Sequence, residues 1–155
     1  MQLTPAGPMK MLVLHGPNLN LLGVREPEVY GAVTFDELNR RIQEHARSTN
    51  IDVRIEQSNH EGVLIDHIHE SIRWADAIVI NAGGFTHTSV AIADALKAVK
   101  LPAIEVHLSN VHARETFRHR SFLSPVVVGQ IAGFGPMSYL LALEAARSVV
   151  AQSRS

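Results

Sequence analysis

The sequence predicts a parallel α/β sheet with helices on both faces, and three observations carry that prediction. Short apolar runs alternate with segments of helical periodicity five times along the chain. Glycine and proline pairs stop the runs, as Gly16-Pro17 and Gly83-Gly84 do. No internal repeat or low-complexity linker interrupts the series, and 155 residues suffice for one buried core.

Each element has its own signature. Met11 to Leu14 is a buried strand ending before Gly16-Pro17. Thr34-Phe-Asp-Glu37 is a capping box that opens a helix with Leu38 and Ile42 on one face. Ile51, Val53 and Ile55 alternate with Asp52, Arg54 and Glu56, which predicts the second strand. Ser58-Asn-His-Glu61 predicts a second capping box, followed by Leu64, Ile68 and Ile72 at helical spacing. Ala77 to Ile80 is the third strand, and Ile92, Ala95, Leu96 and Val99 share one face of the next helix. Pro102 introduces the fourth strand, Ala103 to Leu108; Val126 to Ile131 is the fifth; Met137 to about Ala151 is the last helix. A right-handed closure of flavodoxin type, strand order 2-1-3-4-5, follows from this α/β series. Residues 1–8, with Pro5, Gly7 and Pro8, read as a flexible leader to one catalytic domain over 9–155, with Met9 and Met11 as alternative starts.

In that order the crevice lies beyond the C-terminal ends of strands 1, 3 and 4, and three polar clusters fall there. The first is His15 to Asn20, followed by Gly23 to Gly31 with Arg25 and Tyr30. The second is Asn81 to Ser89 with His87, and the third is Glu105 to Asn110, trailed by Arg114 and Arg118. Each has two readings. Asn18 and Asn20 stabilise turns or serve a ligand, and Gly83-Gly84 permits close packing or a tight turn. The segment of about 18 residues between the first strand and its helix is long for a compact domain and reads as a lid. Glu105 and His107, two apart on a strand, share a face. They form a buried structural pair or a carboxylate orienting an acid–base imidazole.

Composition removes several classes. With a net charge of −1 and no basic run, neither nucleic acid nor a membrane surface is an expected partner. The absence of cysteine excludes disulfides, thiolate metal sites and thiol nucleophiles, and fits a cytoplasmic location. The nine histidines match no familiar metal-ligand spacing, so no metal is expected. The three lysines, Lys10, Lys97 and Lys100, lie outside the predicted site, which leaves no Schiff-base donor. The loop after the first strand has no glycine-rich phosphate cradle, which argues against a flavin or nucleotide module. No cofactor is expected.

Four motifs together resemble the type II dehydroquinase family: Gly16-Pro-Asn-Leu, Arg25-Glu-Pro-x-x-Tyr30-Gly, Asn81-Ala-Gly-Gly-x-Thr-His87-Thr-Ser and Glu105-Val-His107-x-Ser-Asn-x-His-x-Arg114. Phe117-Arg118 and Gly-x-Gly-x-x-x-Tyr139 extend the match to roughly Lys10–Val150. His15, Arg120, Phe122 and Pro136-Met137 depart from the usual family residues.

The resemblance implies dehydration of 3-dehydroquinate through an enolate, in the shikimate pathway, by a homododecamer built as a tetramer of trimers. It implies Tyr30 as the base, acting as phenolate. An ordinary phenol has pKa ~10 and must come down by about 3 to serve near neutrality, which Arg25 would promote. It further implies Asn18 on the enolate oxygen through a water, and His107 as general acid oriented by Glu105. The resemblance assigns the carboxylate to Leu108 and Ser109, with Asn81 nearby, and the ring hydroxyls to His87, Arg118 and an adjoining subunit's Asp94.

Overall fold

The computed structural model describes residues 7–155. The chain runs β1 (Met9–His15), α1 (Pro27–Tyr30), α2 (Phe35–Ser48), β2 (Ile51–Gln57), α3 (Glu61–Ser71) and β3 (Ala77–Asn81). It continues through α4 (Val90–Val99), β4 (Ala103–His107), β5 (Gly129–Ala132) and α5 (Pro136–Arg154), with short 3-10 turns in several connections. The sheet order is β2-β1-β3-β4-β5. Every pairing is parallel. This is the predicted flavodoxin-like three-layer sandwich. Residues 1–6 of the predicted leader lie outside the described residues, and β1 begins at Met9.

Strand alternation divides the core between two layers. Met11, Val13, Val79, Ile104 and Val106 pack with α2 and α5, against Leu38, Ile42, Tyr139 and Leu143. Leu12, Leu14, Ile78, Ile80 and Ala103 pack with α3 and α4, against Leu64, Ile68, Ile92 and Leu96. Strands buried on both faces are what an all-parallel sheet requires. The Thr34 hydroxyl accepts from the Glu37 amide at 3.1 Å, the capping contact the sequence predicts, which contributes about 1 kcal/mol.

Three local expectations are corrected. Ser58 does not cap α3: its hydroxyl takes the His60 amide two residues on, and the helix starts at Glu61 with His60 as N-cap. Ile72 falls one residue past α3 and is exposed, so its helical spacing to Ile68 buries nothing. The fifth strand begins at Gly129 instead of Val126, because Pro125 opens a 3-10 turn over Ser124–Val126. The Val128 amide reaches Ala103 at 2.8 Å just before the ladder proper begins.

β1 lies between β2 and β3, so the winding reverses between β1 and β3 and opens a crevice above their C-terminal ends. There the loops after β1 and β3 touch. A Cβ on Gly16 would sit 2.5 Å from the Ala82 carbonyl carbon and oxygen, so only glycine fits. Gly83 faces Pro17 from the other side with φ +59°.

Candidate active site

The crevice encloses about 440 Å³. Asn18, Arg25, Tyr30, Asn81, His87, His107, Leu108, Ser109 and Arg118 all line it. Glu105 stands directly behind His107, with its Oε2 2.6 Å from the imidazole Nε2. Asp94 does not line it; it is exposed on α4.

Each wall follows from local structure. Asn18 adopts a left-handed conformation (φ 70°) before the turn Leu19–Leu21, whose Leu19 is buried and anchors it. Its backbone amide donates to Asn59 Oδ1 at 3.0 Å. Asn18 therefore shapes a turn and lines the crevice. Asn20 does not line the crevice; it accepts from Gln57 at 3.4 Å at the surface. The long segment after β1 folds α1, which carries Tyr30 at its end.

The phenol of Tyr30 lies between two cations. The Arg25 guanidinium carbon is 5.1 Å from the ring centroid and that of Arg114 is 5.2 Å. Only Arg114 reaches the oxygen: its Nη1 donates to Tyr30 Oη at 2.9 Å. Glu26 Oε2 lies 3.5 Å from the other nitrogen of Arg114. Sequence reasoning assigned the influence on the phenol to Arg25 and gave Arg114 no role. The residue missed was already visible as the last member of the Glu105-to-Arg114 motif.

β4 presents Glu105 and His107 to one face, both buried. Burial opposes ionisation of Glu105. Hydrogen bonding and attraction from His107 outweigh it, joined by hydrogen bonds from Gln130 and Ser121, and the carboxyl stays below its ordinary range. The Ser121 hydroxyl donates to Oε1 at 2.7 Å. With Nε2 held by the carboxylate, His107 has Nδ1 free for a ligand. Burial lowers the pKa of His87, against a hydrogen bond to the Arg120 carbonyl, so this imidazole stays neutral near pH 7. Its Nδ1 is 2.8 Å from that oxygen. Arg118 is tied to Glu115 at 2.6 Å, with its side chain mostly covered. Arg120, a departure from the family residue, stacks on Phe122 and does not line the crevice.

Among the described residues no three histidine or carboxylate side chains converge as a metal cage. Among the described residues no helix is long and apolar enough to cross a membrane. The groups assembled are a phenol beside guanidinium, an imidazole held by a carboxylate, and neutral amides. This arrangement defines a flavodoxin-like α/β protein with a phenol, an imidazole–carboxylate pair and guanidinium groups gathered at one crevice.

The chain belongs to the dehydroquinase class II family, whose description matches residues 9–147. It is 58% identical over 135 residues to a 3-dehydroquinate dehydratase from Trichodesmium erythraeum, covering 87% of this chain and 90% of that one. It is 60% identical over 133 residues to one from Gloeothece citriformis, with coverages of 86% and 88%. The type II dehydroquinase structure from Butyrivibrio crossotus superposes with a TM-score of 0.89 at 48% identity, covering 90% of this chain and 98% of that chain.

Proposed function

We propose that the chain is a 3-dehydroquinate dehydratase, a hydro-lyase of the shikimate pathway, working by proton transfer through an enolate on the domain spanning 9–155. The observation that carries this reading is one crevice holding the Arg114–Tyr30 and Glu105–His107 pairs together.

The substrate is a β-hydroxy ketone bearing a carboxylate. Tyr30, as phenolate, removes a proton from the carbon between the ketone and the carbinol. Arg114 donates to the phenol oxygen and Arg25 lies beside the ring. The electron pair moves onto the ketone oxygen, where a water held by Asn18 stabilises the enolate. The enolate collapses, forming the carbon–carbon double bond and expelling hydroxide, which His107 protonates as it leaves. Glu105 holds the ring and balances its charge. Leu108, Ser109 and Asn81 take the carboxylate, while His87 and Arg118 take ring hydroxyls.

Asp94, exposed and away from its own crevice, belongs in this reading to a neighbouring copy's site, within a dodecamer. No step calls for a metal or cofactor.

Adding 3-dehydroquinate to the purified, chelator-treated protein should produce the ultraviolet absorbance of a conjugated enone. No absorbance change from folded protein would refute the reading.

A further inference from the structure

The chemistry proposed for Glu105 and His107 leaves one residue of their surroundings unused. Ser121 lies half-buried in the connection between β4 and β5. Its hydroxyl is 2.7 Å from Glu105 Oε1, 3.0 Å from the Leu123 amide nitrogen and 3.1 Å from that of Ser124. The backbone on either side is fastened to the turn after β3. The Phe122 amide donates to the Thr86 carbonyl at 2.9 Å, and the Arg120 carbonyl lies 2.8 Å from His87 Nδ1. Ser121 is therefore held in place from both flanks.

A hydroxyl has one proton and two lone pairs. Backbone amides can only donate, so those of Leu123 and Ser124 take both lone pairs and commit the Ser121 proton to Glu105 Oε1. That oxygen must accept, and Oε2 is left to face the imidazole Nε2 at 2.6 Å. Burial opposes ionisation of Glu105, but hydrogen bonds to both oxygens and the attraction of His107 outweigh it, so the group is a carboxylate. The imidazole then keeps its proton on Nε2. A proton given to the leaving hydroxyl has to come from Nδ1, and the donor is the doubly protonated ring, whose positive charge the buried carboxylate balances.

We infer that Ser121 is a positioning residue for the acid step: its hydroxyl pins Glu105 Oε1, so that Oε2 holds His107 by Nε2 and leaves Nδ1 to protonate the departing hydroxyl. This rests on the reading of His107 as the general acid. The Ser121 hydroxyl acts through the carboxylate on the imidazole, and touches neither the substrate nor Tyr30. Its loss therefore slows departure of the hydroxyl and spares both binding and removal of the carbon-bound proton.

The experiment follows 3-dehydroquinate in deuterated water by NMR, comparing exchange of the hydrogen α to the ketone with formation of enone. In folded Ser121→Ala the enolate should form as before but lose its hydroxyl more slowly. The exchange-to-enone ratio should rise about tenfold, the effect of losing one hydrogen bond to a charged group. Steady-state kcat should fall with little change in KM. Ser121→Thr keeps the hydroxyl and should partition as the native chain does. A turn merely loosened by the substitution would slow exchange and elimination together, so a native ratio in Ser121→Ala would overturn the inference, as would a raised one in Ser121→Thr. His107→Ala is the reference. If it too shows the native ratio, the acid assignment fails and the inference with it; if only Ser121→Ala does, the acid assignment stands and the inference alone fails. Should Ser121→Ala not fold, Ser121→Cys, whose thiol is a weak donor, decides by the same ratio.

Discussion

Arg114 donates to the hydroxyl of Tyr30 at 2.9 Å, joining the loop after β4 to the end of the short helix that follows β1. This contact gives the phenol its direct cationic partner, whereas Arg25 stays beside the ring. Arg114 also bridges to Glu26 at 3.5 Å, so one guanidinium holds both ends of α1 over the crevice. The segment after β1 and the proposed base therefore share a residue.

Replacing Arg114 by Gln should remove the cation from the phenol oxygen and loosen α1 together. We expect kcat/KM to fall by about 10- to 150-fold, the effect of losing a hydrogen bond to a charged group worth roughly 1.5–3 kcal/mol. Steady-state kinetics on 3-dehydroquinate check this, and a native kcat/KM in folded Arg114→Gln would remove Arg114 from the chemistry of the site.

Arg25→Gln should cost less in kcat/KM than Arg114→Gln, since Arg25 lies beside the ring and Arg114 donates to the oxygen. The two rates measured side by side rank the arginines, and a larger loss for Arg25 would contradict that ranking.

Glu105→Gln should lower kcat by about 100-fold or more, within the range for a general acid held in the wrong state. The buried imidazole would lose its hydrogen bond to the carboxylate, and a structural cost of about 1.5–3 kcal/mol should appear in chemical denaturation. A stable variant with native kcat would restore the purely structural reading of the pair.

His15 makes stability depend on acid. Its folded-state pKa is about 4 against 6.5 ordinarily, so the unfolded chain takes up the proton first as pH falls. This contribution is complete above pH 6.5 and is lost progressively down to pH 4, amounting to about 3 kcal/mol. Denaturation midpoints of the native chain and of His15→Asn, measured across that window, should converge as pH falls. Parallel curves would contradict the assignment.

The fold was legible because the two periodicities are strong where the core is thickest. Met11 to Leu14 and Ala77 to Ile80 are buried on both faces, and such runs admit little else. The fifth strand slipped because Val126, Val127 and Val128 read as strand, while Pro125 directs the first of them into a turn. Glu105 and His107 could be paired from their spacing alone, since two residues on a strand share a face. The Arg114–Tyr30 contact spans 84 positions and two loops, and no local pattern announces it. The His15–Tyr139 contact was equally silent, because it joins β1 and α5 through the interior.

The account turns on Tyr30 taking a proton from carbon before water leaves, and isotope exchange observes that step alone. In deuterated water, folded His107→Ala should exchange the hydrogen of 3-dehydroquinate α to the ketone faster than it forms enone, as read by NMR. Tyr30→Phe should do neither. Exchange by Tyr30→Phe at the native rate would contradict the claim.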